Sequence, residues 1–199
     1  VKYERKNKIQ RGILISCTYD NNYFHWMNES LPMVLFVLEN YELFAGYPLL
    51  IPEKLHKNYM EMLNCLLGDY HLELIKLSSN QLYYIDDLIV PSDFSRILDH
   101  YHGDIIYGLD YALSPLYIGQ VREKVCRLSR IKRQRKLYLT RHSGTYRRLL
   151  NESEIENYLV KCGFEIVDLA GGSFAFQQEL LSQAGLVIAP TGATMTNMI

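Results

Sequence analysis

The residues best suited to chemistry lie in one stretch, Lys136-Leu-Tyr-Leu-Thr-Arg-His-Ser-Gly-Thr-Tyr-Arg-Arg-Leu-Leu-Asn-Glu152. Lys136 to Thr140 alternates β-forming residues as a strand does, and Arg141 stands where that strand ends. Ser143 and Gly144 make a short loop, and Arg147 and Arg148 follow. Asn151 is placed to cap a helix, with Glu154 at the capping-box position. Guanidiniums and a helix N-terminus gathered at the carboxyl end of a strand suit an anion, and a diphosphate is the obvious one. A plainer reading fits the same residues: loop arginines are usually solvated, and Arg148 has Glu152 within reach for a surface ion pair.

Two further sets complete the inventory. In Phe24-His-Trp-Met-Asn-Glu29, His25 and Glu29 are spaced i, i+4, which brings both side chains to one face of a helix. A histidine held by a carboxylate is a general base with a fixed tautomer; Glu29 itself is the alternative base, and a surface ion pair is the structural alternative. In Pro190-Thr-Gly-Ala-Thr194, Gly192 opens a helix directly after an apolar strand. A glycine there lets backbone amides approach a ligand, Thr194 and Thr196 offer hydroxyls, and a simple tight turn is the other reading. Asp86-Asp87 lies in a strand-like run, so its carboxylates should point to opposite faces rather than share a metal. His100, His102 and Asp104 form a looser cluster without a ligand spacing rule.

The elements that must position these residues follow from periodicity. Gly12 to Cys17 reads as a buried strand, with Val1 to Arg11 a polar edge or frayed entry. A helix from about Tyr23 to Tyr41 is expected to bend near Pro32. Strands are expected at Pro48–Pro52, Leu72–Leu77 and Leu82–Val90, with an amphipathic helix from His56 to Leu67 closed by Gly68. Ser92 to Ser114 is irregular, and Pro115 to about Arg133 is helical. Its basic tail, Arg127 to Lys136, reads as a solvated helix end favoured by the dipole, or as a patch for an acidic membrane surface or lipid-linked phosphate. From Lys136 onward strand and helix alternate through Gly163, Gly171-Gly172 and Gly185 to a last strand, Leu186–Ala189. That alternation predicts a parallel, doubly wound α/β sheet, and the first half repeats it more loosely. Two Rossmann-like domains are expected, 1–115 and 116–199.

Composition narrows the function classes. Of 199 residues, 48% are hydrophobic and 22% charged, as in an ordinary globular protein. A net charge of −1 carries no basic footprint of a nucleic-acid binder. Cys17, Cys65, Cys126 and Cys162 are far apart without zinc spacing, so a reduced compartment is the better reading and no metal is expected. No apolar run has the length of a membrane span. The chain starts at Val1 and ends at Ile199 just as a helix opens, so further sequence is expected beyond at least that end.

Three blocks in order resemble the glycosyltransferase family 61 group, which in bacteria includes capsular polysaccharide biosynthesis proteins. They are Asn22-Tyr-Phe-His-Trp-Met-Asn-Glu-Ser-Leu-Pro32, then Tyr138-Leu-Thr-Arg141 through Arg147-Arg148-Leu-Leu-Asn-Glu152. The third runs from Phe164-Glu-Ile-Val167 through Ser173-Phe174 and Gln177 to Ala189-Pro-Thr-Gly-Ala-Thr-Met-Thr-Asn197. The resemblance implies a GT-B architecture with the active site in the cleft between two Rossmann-like domains. It also implies an inverting transfer from a nucleotide sugar without a metal motif. On it, Arg141 and Arg147 are the diphosphate-binding arginines, with Asn151 supporting their loop. Gly192, Ala193, Thr196 and Asn197 map to the donor-side turn and helix, to which the residues themselves add Thr191 and Thr194 as donor-binding candidates, and His25 and Glu29 map to the catalytic pair facing the acceptor. Thr191 stands where the family usually has His, and Glu29 where it commonly has Asp; both departures bear on donor choice and activity. The reading is a cytoplasmic bacterial glycosyltransferase working without a cofactor, with a nucleoside-diphosphate sugar as donor. Its acceptor would be a glycan or lipid-linked glycan, with peripheral association at the inner membrane face. The alternative is a non-catalytic nucleotide- or glycan-binding scaffold of a polysaccharide assembly complex.

Overall fold

The computed structural model describes residues 6–17, 19–97, 111–125, 133–144 and 148–198. They form two compact units, Val1–Val125 and Cys126–Ile199. Both are α/β with parallel sheets.

The first unit holds strands β1 (Lys6–Leu14), β2 (Leu49–Pro52), β3 (Leu74–Leu77) and β4 (Leu82–Ile89), in the order β3-β2-β1-β4 and all parallel. β1 is longer than its apolar core suggests. Its polar half pairs with β4 in register from Lys6↔Leu82 to Ile13↔Ile89. Side chains along the pair explain how so polar a segment stays in a sheet: Lys8 meets Asp86 at 3.0 Å, and Asn7 donates to Gln81 at 2.6 Å. Tyr47 donates its hydroxyl to Asp87, and the Arg11 guanidinium lies 5.2 Å from the centre of the same Tyr47 ring. Asp86 and Asp87 thus engage different partners, as strand alternation requires. The antiparallel pair β5 (Arg96–Ile97) and β6 (Tyr111–Ala112) accompanies this unit. His100, His102, Asp104, Cys126 and the basic segment up to residue 132 lie outside the described residues.

Over this sheet runs one continuous helical segment: α1 (Tyr23–His25), a π-turn (Trp26–Ser30) and α2 (Leu31–Glu39). The expected bend at Pro32 takes the form of that π-turn. Proline lacks the N–H that would bond four residues back, and the ladder widens ahead of it, with the Leu31 N–H reaching the Trp26 carbonyl. The Asn28 side chain donates to the Phe24 carbonyl at 2.8 Å inside the widened turn. Nearly every residue of the segment is buried, Trp26, Leu31, Val34 and Leu35 completely. Each such aliphatic side chain contributes about 1.5–3 kcal/mol of transfer free energy. Helix α3 (Lys57–Leu67) adds Tyr59, Met62 and Leu63 to the same core, with Tyr59 stacked on Trp26 at 5.6 Å. Helix α4 (Pro115–Val125) packs on α2 and α3 and so belongs with this unit.

In the second unit the parallel sheet has the order β8-β7-β9, with β7 Arg135–Leu139, β8 Glu165–Val167 and β9 Ala184–Ile188. Helix α5 (Glu152–Lys161) joins β7 to β8, and α6 (Phe174–Ser182) joins β8 to β9. Leu137, Leu139, Leu169 and Leu180 form its core, backed by Val167, Val187 and Ala189. Gly163 and Gly171, at φ 81° and 78°, supply the left-handed turns that end α5 and precede α6. Gly185 is inside β9 rather than at a helix stop, and a Cβ there would lie 2.7 Å from the Arg133 carbonyl, which leaves room for glycine alone. The last turn, Ala193–Met198, is helical as the sequence suggests, and takes the 3-10 form.

Candidate functional site

The second unit builds its site at the carboxyl ends of β7 and β8. The Thr140 N–H bonds to the Val167 carbonyl at 2.9 Å, and Arg141 and Asp168 are the next residues on the two strands. Between them opens a pocket of about 200 Å³ lined by Arg141, Ser143, Gly144, Asp168, Leu169 and Ala170, among others. The Arg141 guanidinium reaches sideways and donates Nη1 to the Thr191 carbonyl at 2.5 Å. It lies over Gly192, where a Cβ would sit 2.2 Å from Nη1, and Gly144 faces it from within its own loop. Gly192 is therefore used to admit an arginine from the neighbouring strand.

Glu152 anchors this loop from beneath. Only 3% exposed, it accepts the Arg141 N–H at 2.9 Å and the Tyr138 hydroxyl at 3.1 Å. Burial pushes its carboxyl up, but the Arg141 N–H, the nearby Thr140 and Tyr138 hydroxyls and His142 outweigh that and leave its pKa below the ordinary value. Burial and the Glu152 partner push the Tyr138 phenol up to about 12. His142 bridges outward, 2.9 Å from Glu156 and 3.7 Å from Glu152, and its hydrogen bond to Glu156 raises its pKa despite some desolvation.

The Asn151 side chain makes no capping bond, so the expected capping box is not formed. Glu152 takes the structural role instead by turning inward at the first helical residue. That leaves Arg148 exposed, with Glu152 committed to Tyr138 and Arg141. Arg147 lies outside the described residues, and Ala193 and Thr194 are placed by their backbone alone, in the final 3-10 turn. Thr191 meets Arg141 through its carbonyl. Thr196 and Asn197 are buried; Asn197 donates to Gln177 at 2.9 Å and accepts from Gln178 at 3.3 Å, tying the final turn to α6.

In the first unit the His25 Nδ1 and a Glu29 carboxylate oxygen are 3.1 Å apart, so the i, i+4 pair forms as expected. The pair is interior, not superficial. His25 is fully buried against Tyr19, at 4.7 Å between ring centres, and Phe24 at 5.7 Å. It stands beside the carboxyl end of β1, where Asp20 accepts the Ser16 hydroxyl and the Cys17 N–H at 2.6 and 2.7 Å. Burial pushes the Cys17 thiol up to about 12, so it stays protonated near neutral pH. Asn22 caps α1 by accepting the Phe24 N–H at 3.0 Å.

The arginine loop at the end of β7 and the Thr-Gly turn after β9 both lie within the span of one family match. The family model described as Glycosyltransferase 61 matches residues 23–199. The chain belongs to the glycosyltransferase 61 family. A search of curated proteins found no match. Membership carries glycosyl transfer as the activity class for this family 61 chain. Among the described residues, no group of three or more His, Cys, Asp or Glu is placed to hold a metal ion. No described helix is long and apolar enough to cross a membrane.

The sequence reading missed Asp168 and Ser143 as pocket residues and gave Glu152 only a surface role. An acidic residue closing the second strand of a β–α–β unit was a readable signal for Asp168. Nothing local distinguishes an inward from an outward Glu152.

Proposed function

We propose that this family 61 chain is an inverting, metal-independent glycosyltransferase. It would move a sugar from a nucleoside-diphosphate sugar onto a glycan or lipid-linked glycan of a bacterial surface polysaccharide. The observation that carries the proposal is the Arg141 guanidinium, fixed by the Thr191 carbonyl at the mouth of the pocket. A fixed cation there stabilises the negative charge that gathers on the departing diphosphate. Arg147, Asn151 and the residues from Thr191 to Asn197 complete the donor side in this reading. Glu29 deprotonates the acceptor hydroxyl, since its side chain keeps 9% exposure and that of His25 keeps none. His25 then orients Glu29 rather than meeting the acceptor. A GT-B architecture, a cytoplasmic location and association with the inner membrane face belong to the same proposal.

Thermal melting against a panel of nucleoside diphosphates and nucleotide sugars, with EDTA present, tests the donor site. A shift of several degrees for one diphosphate series, lost in Arg141→Ala, is the expected result. Unchanged affinity in Arg141→Ala would remove the central assignment. The complete burial of His25 favours a second reading, a non-catalytic nucleotide- or glycan-binding scaffold. Slow donor hydrolysis by the purified chain separates the two, because a live transferase leaks some donor to water.

A further inference from the structure

We propose that Asp168 recognises the ribose of the nucleotide, its carboxylate accepting hydrogen bonds from the 2′- and 3′-hydroxyls. The inference rests on the donor-site reading above and names which part of the donor this side of the pocket takes.

Three observations carry it. β7 and β8 are adjacent parallel strands paired to Leu139↔Val167, so Arg141 and Asp168 leave the sheet within one residue of the same level. Both line one pocket, whose volume of about 200 Å³ admits a pentose together with a phosphate. Asp168 Oδ1 accepts the Ala170 N–H at 2.8 Å, which fixes the carboxylate at the pocket wall. Its second oxygen takes no hydrogen bond from the described residues, and the Arg141 guanidinium is directed to Thr191 instead. The turn alone does not call for an acid, since Asn or Ser would hold the Ala170 N–H equally well. A carboxylate beside an anion-binding arginine weakens the hold on phosphate, through like-charge repulsion. That cost is offset where the ligand also brings vicinal hydroxyls, for which an ionised carboxylate is the stronger acceptor. Phosphate at the first β–α turn and a diol at an acid closing the next strand is the general division of labour in parallel β–α–β nucleotide sites.

The test is calorimetric titration of the full chain with one ribonucleoside diphosphate, its 2′-deoxy counterpart and inorganic pyrophosphate. Wild type, Asp168→Asn and Asp168→Ala are compared; the Asn variant keeps an acceptor for Ala170 and so protects the turn. Wild type is expected to bind the ribonucleotide about tenfold or more tightly than the deoxynucleotide. Both variants should bring that ratio close to one while binding pyrophosphate as well as, or better than, wild type. Equal affinity of wild type for the two nucleotides, or an unchanged ratio in the variants, overturns the assignment and leaves Arg141 as a phosphate site. Failure of wild type to bind pyrophosphate or either nucleotide overturns it together with the donor-site reading.

Discussion

The Arg141 guanidinium lies against the backbone of Gly192, in the space a side chain would occupy, and donates to the Thr191 carbonyl beside it. Two motifs far apart in the sequence are therefore one device. The turn after β9 fixes the arginine at the end of β7, and fixing it in advance avoids ordering a long, flexible side chain when an anion binds.

Gly192→Ala should then mimic loss of the arginine. A Cβ 2.2 Å from Nη1 forces the guanidinium out of its seat. Affinity for a nucleoside diphosphate is expected to fall about tenfold or more, the scale of a lost charge-assisted hydrogen bond. The global melting temperature should change little, because the guanidinium is the far end of a flexible side chain. Gly144→Ala, whose nearest contact is 3.1 Å to the Arg141 carbonyl, should have a milder effect. Equal affinity in wild type and Gly192→Ala would show that the seat is not what makes Arg141 effective.

Glu152→Gln tests the anchor beneath the loop. The glutamate carboxyl is held below its ordinary value of 4.5. Its contribution is thus present above that ordinary value and is lost as pH falls through the lowered folded value. The substitution should cost about 1–2 kcal/mol near neutral pH, where a buried charged acceptor becomes a neutral amide. Urea unfolding of both proteins at pH 7 and again in the acid range checks this, and the gap between them should narrow on acidification.

Much of this arrangement was legible in the sequence, and the exceptions share a cause. The run from Lys136 to Ala189 declared its strands and helices because glycines punctuate it at left-handed turns and apolar residues alternate between them. Residues 6–11 hid their strand because Asn7, Lys8 and Arg11 find their partners in Gln81, Asp86 and Tyr47, which are distant in the chain. Asn151 looked like the cap because asparagine favours that position, yet tertiary bonds to Tyr138 and Arg141 gave the helix start to Glu152. The His25–Glu29 contact was readable from helical spacing, but its depth was not. Depth depends on tertiary neighbours such as Tyr19, whose ring packs against His25.

His142 should report the loop's integrity directly. Its hydrogen bond to Glu156 raises its pKa above the ordinary 6.5. A raised value means the interaction stabilises the fold below 6.5 and is lost as pH rises through the folded pKa. A proton NMR titration of the His142 ring should find the midpoint above that of an unstructured histidine. In Glu156→Gln the midpoint should move back down, since the main partner has lost its charge. An unmoved midpoint would place the cause elsewhere in the loop.

Asn197 distinguishes a structural from a ligand-facing use of the final turn. Its amide nitrogen donates to Gln177 and its oxygen accepts from Gln178, while Gln177 itself donates to the Leu169 carbonyl at 2.9 Å. Leu169 is a pocket residue, so this buried ladder ties the last turn, α6 and the pocket floor together. Asn197→Ala leaves the Gln177 oxygen without its donor and should destabilise the protein by about 1–3 kcal/mol in denaturant unfolding. Nucleotide affinity, measured where the variant is fully folded, should fall by less than in Arg141→Ala. The opposite pattern, intact stability with lost affinity, would make Asn197 a donor contact and the ladder incidental.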